Sequence, residues 1–235
     1  MRKLWIGAGV LAALLVLGLA GGYVYYFSGL RTAPAALALP SPTASAAAST
    51  SGLAGSWKVT SGSQAEYRVE EQFAGQTSSH EAVARTPGVS GGLTVSGQAG
   101  ALQASEISVS ADLTGLHSVD QVAGFNVSNR DRIVSQSLSV SQFPQATFTA
   151  GAVAIPAGLE SGQQVTVTVA GKLTIHGVTR DVTATLQVQQ SGNQVQVAGQ
   201  IPTDMTQFGI SPPQIGFTKV QPGVTIDFLV VFAKP

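Results

Sequence analysis

The sequence has 235 residues, enough for one ordinary domain with a tail or for two small ones. Only 10% of residues are charged, 12 basic against 12 acidic, so no basic surface is available to neutralise phosphates and no nucleic-acid partner is expected. Cysteine is absent and histidine occurs three times, which excludes disulfides, thiolate metal sites and cysteine nucleophiles; no metal site is expected.

An apolar run from Leu4 to Phe27 carries no charge. About 20 apolar residues in a helix span the hydrocarbon core of a bilayer. Trp5 stands near one end, and Tyr23, Tyr25 and Tyr26 near the other, where interfacial aromatics belong. Arg2 and Lys3 precede the run and Arg31 follows it, so the positive-inside bias puts the N-terminus in the cytoplasm. The expectation is a single-pass protein of the cell membrane with its C-terminal domain extracytoplasmic. A cleaved signal peptide is the alternative, and Ala36-Leu37-Ala38 fits a cleavage site. A signal core of about 7–15 residues is shorter than this run, which favours the anchor.

The chain then divides into three parts: a cytoplasmic tip and anchor over 1–29, a tether over 30–52, and one domain over 53–235. The tether is rich in Ala, Ser and Pro, and Pro34, Pro40 and Pro42 break any helix, so a flexible extended segment is expected.

From about Ser56 the composition turns to Val, Thr, Gln, Ser and Gly in alternation. Glu106–Leu113, Gln164–Val169, Val182–Val188 and Gln194–Val197 all have period two, the pattern of half-buried strands. Val224–Phe232 is nearly all apolar and reads as a strand covered on both faces. Turn signals fall at Pro156-Ala157-Gly158, Ser161-Gly162, His176-Gly177, Ser191-Gly192-Asn193 and Gln221-Pro222-Gly223. About eight strands at this spacing imply an antiparallel barrel or sandwich. Gly91-Gly92 and Gly171 interrupt strand-like runs and read as bulges or sharp bends.

Residues Asn126 to Ser137 lack the alternation. Asn129 suits an N-cap and Asp131 places negative charge in the first turn, so a short helix is expected over one mouth of the barrel.

No nucleophile elbow, phosphate loop or zinc-protease motif is present, and no enzyme is expected. A hydrolase would require His176, Asp131 and a serine to converge on one cleft. Phe125, Phe143, Phe148, Phe208 and Phe217 flank the helix and the late loops, while Phe228 lies in the last strand. They form either a plug of core residues or the greasy mouth of a cavity.

Four blocks occur in order: Asn129-Arg130-Asp131, Phe143-Pro-Gln-Ala-Thr-Phe148, Gly171-Lys-Leu-Thr-Ile-His176-Gly-Val-Thr-Arg-Asp-Val182, and Asp204-Met-Thr-Gln-Phe208-Gly-Ile210. The series resembles the YceI-like family of polyisoprenoid-binding proteins, over essentially Ser56 to Ala233, in what looks like a membrane-anchored branch. The resemblance implies an all-β, lipocalin-like eight-stranded barrel with an apolar tunnel. It implies a long isoprenoid lipid as partner, of quinone or polyprenyl phosphate type, and no other cofactor. The phenylalanines above then become tunnel or mouth residues. Arg130 and Asp131, with Asn129 and His176, become head-group or structural residues, a structural ion pair being the leading role for the first two. The functions that follow are carrier, reservoir or sensor of that lipid. The alternative is a non-catalytic envelope interaction module with a filled barrel.

Overall fold

The computed structural model describes residues 14–19, 33–41, 52–73, 79–122, 128–216 and 218–235. The strands are β1 (Gly55–Val59), β2 (Gln64–Phe73), β3 (Ser79–Thr86), β4 (Val89–Gln98), β5 (Ala101–Asp112) and β6 (His117–Ser118). Helix α1 (Ser128–Ser137) follows, then β7 (Gln145–Ala150), β8 (Val153–Ala154) and the one-turn helix α2 (Ala157–Glu160). The chain ends with β9 (Val165–Ile175), β10 (Val178–Ser191), β11 (Gln194–Asp204), a 3-10 turn (Met205–Phe208), β12 (Gln214–Ile215) and β13 (Thr218–Ala233).

These strands make eight staves of a closed antiparallel barrel. β1 and β2 form one kinked stave, since both pair with β13. β3 and β4 form the next, pairing with β2 and β1 respectively. β5 comes third, and β7 with β8 fourth, both bonded to β5. β9, β10, β11 and β13 complete the meander, and β13 closes the ring on β1. Closure removes the exposed strand edges that an open sheet of this length would leave. Eight strands enclose a space just wide enough for side chains or one slim ligand.

The alternating segments fall in β5, β9, β10 and β11 as expected, and the helix is α1. The structure corrects two of the expected turns and bends. Gln221-Pro222-Gly223 is not a loop between strands; it lies inside β13, where the pairing with β2 shifts register between Val220 and Val224. Proline lacks the N–H that a regular ladder needs, so it is accommodated at this bulge. Gly171 is no bulge either, because β9 keeps unbroken register with β10 across it. A Cβ there would lie 2.6 Å from the Thr149 carbonyl oxygen and from a Phe148 ring carbon. The glycine is needed for the Phe148 ring to lie flat over the strand. Gly171→Ala is therefore expected to cost about 1–3 kcal/mol as an overpacked site, read from urea unfolding. Gly91-Gly92 does mark a bulge, with the β4–β5 register shifting between Gly92 and Thr94.

The His176-Gly177 turn joins β9 to β10 with both residues at positive φ, 53° and 73°. That is the two-residue hairpin turn whose twist matches the strands it joins.

The outer wall carries a charged cluster. Alternation turns Ala65, Tyr67, Val69 and Glu71 of β2 inward and Glu66 and Arg68 outward. Yet the Glu66 side chain is fully buried, as is that of Asp227 on β13. Arg68 binds Glu66 at 2.6 Å, Asp227 at 2.6 Å and Glu81 at 2.7 Å, and Arg85 donates to Glu66 at 2.7 Å. Burial pushes the Asp227 carboxyl above its ordinary range, against the pull of Arg68.

Part of the expected tether lies on this same wall. The Arg68 guanidinium donates to the Pro34 carbonyl at 2.8 Å, and the Gln189 amide donates to the Pro40 carbonyl at 3.2 Å. Leu37 and Leu39 are half-buried while Ala36, Ala38 and Pro40 are exposed, so one face of the segment meets the barrel. Residues 33–41 thus form a strap along the barrel.

Of the apolar run Leu4–Phe27, residues 14–19 are described; they are helical and exposed on every side, with Leu14, Leu15, Val16, Leu17 and Leu19 all 58–69% exposed. The remainder of the run lies outside the described residues. Among the described residues no helix is long and apolar enough to cross a membrane.

Candidate functional site

The barrel interior holds two cavities of about 210 and about 180 Å³. They lie end to end, because Ala65, Ala111, Ala146 and Ile226 line both. Ala111 of β5 stands directly opposite Ala146 of β7. Three of the four residues shared by the cavities are alanines, so only short side chains stand between them at this waist. Together the cavities are of the size of pockets that hold small organic ligands, about 300–1,000 Å³.

The first cavity is lined by apolar side chains alone. β9 contributes Val165, Val167, Val169 and Leu173, and β10, β11 and β13 continue the lining with Leu186, Val195, Val197, Phe228 and Val230. Its far end is sealed. Leu53, Trp57 and Leu159 are all buried there, and the Trp57 indole donates to the Leu53 carbonyl at 2.8 Å. The Lys234 ammonium lies 5.2 Å from the centre of the Trp57 ring and donates to the Gly52 carbonyl at 2.6 Å.

The second cavity lies under α1, which contributes Ile133 and Val134, with Leu138 just after it. Its lining also includes polar residues: Glu66, Tyr67 and Glu71 from β2, Thr86 from β3, Arg130 and Ser137 from α1, and Thr203 and Thr218. The space is therefore graded, wholly apolar at the sealed end and partly polar at the helix end.

One ion cluster dominates the helix end. Arg130 Nη1 donates to both oxygens of Asp120, at 2.6 and 2.8 Å, and Arg130 Nε lies 3.2 Å from Glu71. His80 Nε2 stands 2.7 Å from Asp120, and the Val83 backbone N–H donates to Asp120 at 3.1 Å. Burial alone would raise the Asp120 carboxyl; the bonds from His80 and Arg130 hold it instead at about 2. Burial likewise pushes the Tyr67 hydroxyl well above its usual range.

The sign of the Asp120 shift fixes a pH dependence. Its folded value lies below the ordinary value of about 3.9, so its contribution to stability is complete above about pH 4 and is lost as the pH falls toward 2. That loss is on the order of 2 kcal/mol. Unfolding free energy measured by denaturant between about pH 6 and about pH 3 is expected to fall, and Asp120→Asn is expected to flatten the fall.

The expected site residues separate into groups. Phe148 and Phe228 line the first cavity and Phe208 the second. Phe143 stands beside the lining, edge-on to His176 at 5.3 Å. Phe125 and Phe217 lie outside the described residues. Asn129 is exposed in the first turn of α1, which begins at Ser128. Asp131 accepts from the Ser118 backbone N–H at 2.9 Å and from its hydroxyl at 2.6 Å, stapling α1 to β6.

His176 is a bracket between three loops. Its Nδ1 lies 3.3 Å from the Phe208 carbonyl and its Nε2 3.1 Å from the Ser139 hydroxyl. A neutral imidazole satisfies both: Nδ1–H donates to the carbonyl and the hydroxyl donates to Nε2. Asp131 is bonded to Ser118, so His176, Ser139 and Asp131 do not form a relay.

Reading the sequence alone misses Glu71, Tyr67, Asp120 and His80. The first two were within reach, since alternation in Ala65–Glu71 puts them on the face that Val69 buries. Asp120 and His80 meet across 40 positions of chain and carry no local signal.

A family model described as a YceI-like domain matches residues 57–232. No curated protein matches the chain. Among solved structures, a polyisoprenoid-binding domain from Saccharophagus degradans implicated in plant cell wall breakdown is similar with a TM-score of 0.52 and 16% identity, over 76% of this chain and 98% of its own. BcnA of Burkholderia cenocepacia is similar at a TM-score of 0.48 and 22% identity, over 72% of this chain and 95% of its own. The YCEI protein of Campylobacter jejuni follows at 0.38 and 12%, over 61% and 80%. The first of these likenesses is one of fold.

Proposed function

The chain belongs to the YceI-like family, and on that premise we propose that it binds one long isoprenoid lipid inside the barrel, without catalysing a reaction. The observation that carries this reading is the alanine waist, which joins an all-apolar cavity to a cavity with a polar end. The tail fills the sealed half and the head lies beside Arg130, Glu71 and Tyr67. Each buried methylene contributes about 0.8 kcal/mol, so each five-carbon unit contributes about 3–4 kcal/mol. A few units exceed the cost of immobilising the ligand, and no strong head-group clamp is needed.

The charge at the helix end favours a neutral head. The Arg130 guanidinium is already shared between Asp120 and Glu71, so the carboxylates outnumber it there. A quinone or an alcohol enters this setting at less cost than a phosphate, which would meet the buried Glu71 carboxylate in the lining. The polyprenyl phosphate that the sequence reading kept open is thereby the less favoured ligand.

The domain is exported and held at the outer face of the cell membrane by Leu4–Phe27, acting as a carrier, reservoir or sensor. The exposed, wholly apolar helix at 14–19 supports this, since nothing but lipid or another apolar body would cover it. The head-group reading is tested by titrating a prenol and the prenyl phosphate of the same tail length. The prenol is expected to bind more tightly; equal or tighter binding of the phosphate would overturn it.

A further inference from the structure

We propose that the strap at 33–41 holds the barrel with its helix end toward the bilayer, so that the polar end of the tunnel faces the membrane surface. The inference rests on the reading of Leu4–Phe27 as a membrane span.

The direction of the strap carries the argument. Its first clasp, Pro34, is bound by Arg68, which lies between Tyr67 and Val69, both lining the helix-end cavity. Its second clasp, Pro40, is bound by Gln189, which follows Val188, a lining residue of the sealed cavity. The chain therefore arrives at the helix half of the barrel and runs toward the sealed end. The distances agree. Residues 34 to 40 reach about 20 Å when extended; with the long Arg68 and Gln189 side chains this covers both the run of β13 from Thr225, opposite Arg68, to Val231, opposite Gln196 beside Gln189, and the crossing from β2 to β10. Between the clasps, the outward-facing Ala198 and Val231 are buried at 3% and 5% exposure, as a covered wall requires.

The length of chain before the strap sets the height. Residues 28 to 33 span at most about 20 Å. From Arg68 to the end of β2 at Phe73 is about 17 Å. A membrane span that ends at Phe27 is therefore held within about 20 Å of Pro34, whose clasp lies in the helix half of the barrel. A free tether over 30–52 would have left the orientation open; a strap leaves only a few residues of slack. With the sealed end turned away, a lipid passes between bilayer and tunnel past α1 without crossing open water. α1 has Ile133 and Val134 against the cavity and an exposed opposite face.

The chain has no cysteine, so single cysteines can be placed for labelling. Ser135 on α1 and Gln164 beside the sealed end are both exposed. The full chain, carrying Ser135→Cys or Gln164→Cys and a donor dye, is reconstituted in phosphatidylcholine vesicles containing an acceptor-labelled lipid. Energy transfer is expected to be stronger from position 135 than from 164. A flexible Gly/Ser insertion of about twelve residues after Ser28, adding about 20 Å of reach, is expected to abolish that difference while the barrel stays folded. Equal transfer from both positions in vesicle-bound protein, or stronger transfer from 164, overturns the orientation and leaves the anchor standing. Protein that fails to sediment with the vesicles overturns both.

Discussion

Replacing Ala146 by phenylalanine is expected to abolish binding of long isoprenoids while leaving the barrel folded. Ala146 lies beside its ladder partner Ala111 on the wall of the waist where the two cavities meet. A ring projecting there enters empty space, so the usual penalty of overpacking a filled core does not apply. Stability is expected to stay within about 1 kcal/mol or to rise. The tunnel is cut in two, and every five-carbon unit that would lie beyond the waist loses about 3–4 kcal/mol of burial, a factor of about 10² to 10³ in affinity. A tail short enough to stop before the waist keeps its affinity. Titrating a series of prenols of increasing length tests this directly. In the native chain affinity climbs with length past the waist; in Ala146→Phe it stops climbing. A variant with the native length dependence would mean that the ligand does not pass the waist.

Arg130→Ala is expected to produce the largest loss of stability. Its guanidinium is 12% exposed and lies between Asp120 and Glu71, whose side chains are 0% and 7% exposed. Removing it leaves two buried carboxylates facing each other with one cation fewer. Breaking a buried pair from one side costs about 3–5 kcal/mol. For a domain of this size that lowers the melting temperature by roughly 6–20 °C. α1 loses its tie to β2 and to Asp120, keeping the staple from Asp131 to Ser118, so the helix is expected to loosen before the barrel opens. Amide exchange across Ser128–Ser137 should accelerate more than exchange in β9 or β10. Unchanged melting together with weakened lipid binding would instead make Arg130 a head-group ligand.

The strands that the sequence reveals plainly are those with one wet face. β5, β9, β10 and β11 alternate because inward valines meet the tunnel and outward Thr, Ser and Gln meet water. β13 also reads correctly at its end, since Phe228, Val230 and Phe232 face inward while Leu229 and Val231 lie under cover. β2 is harder, because Glu66-Tyr67-Arg68-Val69-Glu70-Glu71 looks like a solvated strand. Two networks that no local pattern announces bury much of it: Arg68 pairs outward with Glu66 and Asp227, and Glu71 pairs inward with Arg130. The kinks that split β1 from β2 and β3 from β4 are likewise set by partners, as each stave changes neighbour along its length. The strap escapes notice for a related reason. Its grip comes from two backbone carbonyls, at Pro34 and Pro40, which any sequence would offer.

The site was legible in part. Phe148, Phe208 and Phe228 are found in the cavity linings, while Arg130 forms its ion pairs with Asp120 and Glu71, and Asp131 bonds Ser118 instead of joining an ion pair. What sequence could not supply is the waist. Ala65, Ala111 and Ala146 are ordinary small residues until the barrel brings them to one level, where they line both cavities.

The central claim, that the barrel carries an isoprenoid lipid, is tested most directly by what the protein holds when purified. The chain from residue 33 to the C-terminus, which keeps the strap, is expressed with export and purified without detergent. It is then extracted with organic solvent, and the extract is analysed by mass spectrometry. The account predicts a prenyl lipid with a neutral head at close to one molecule per chain, absent from Ala146→Phe prepared in the same way. Folded protein that yields no prenyl lipid, and that takes up neither added quinone nor added prenol, would contradict it.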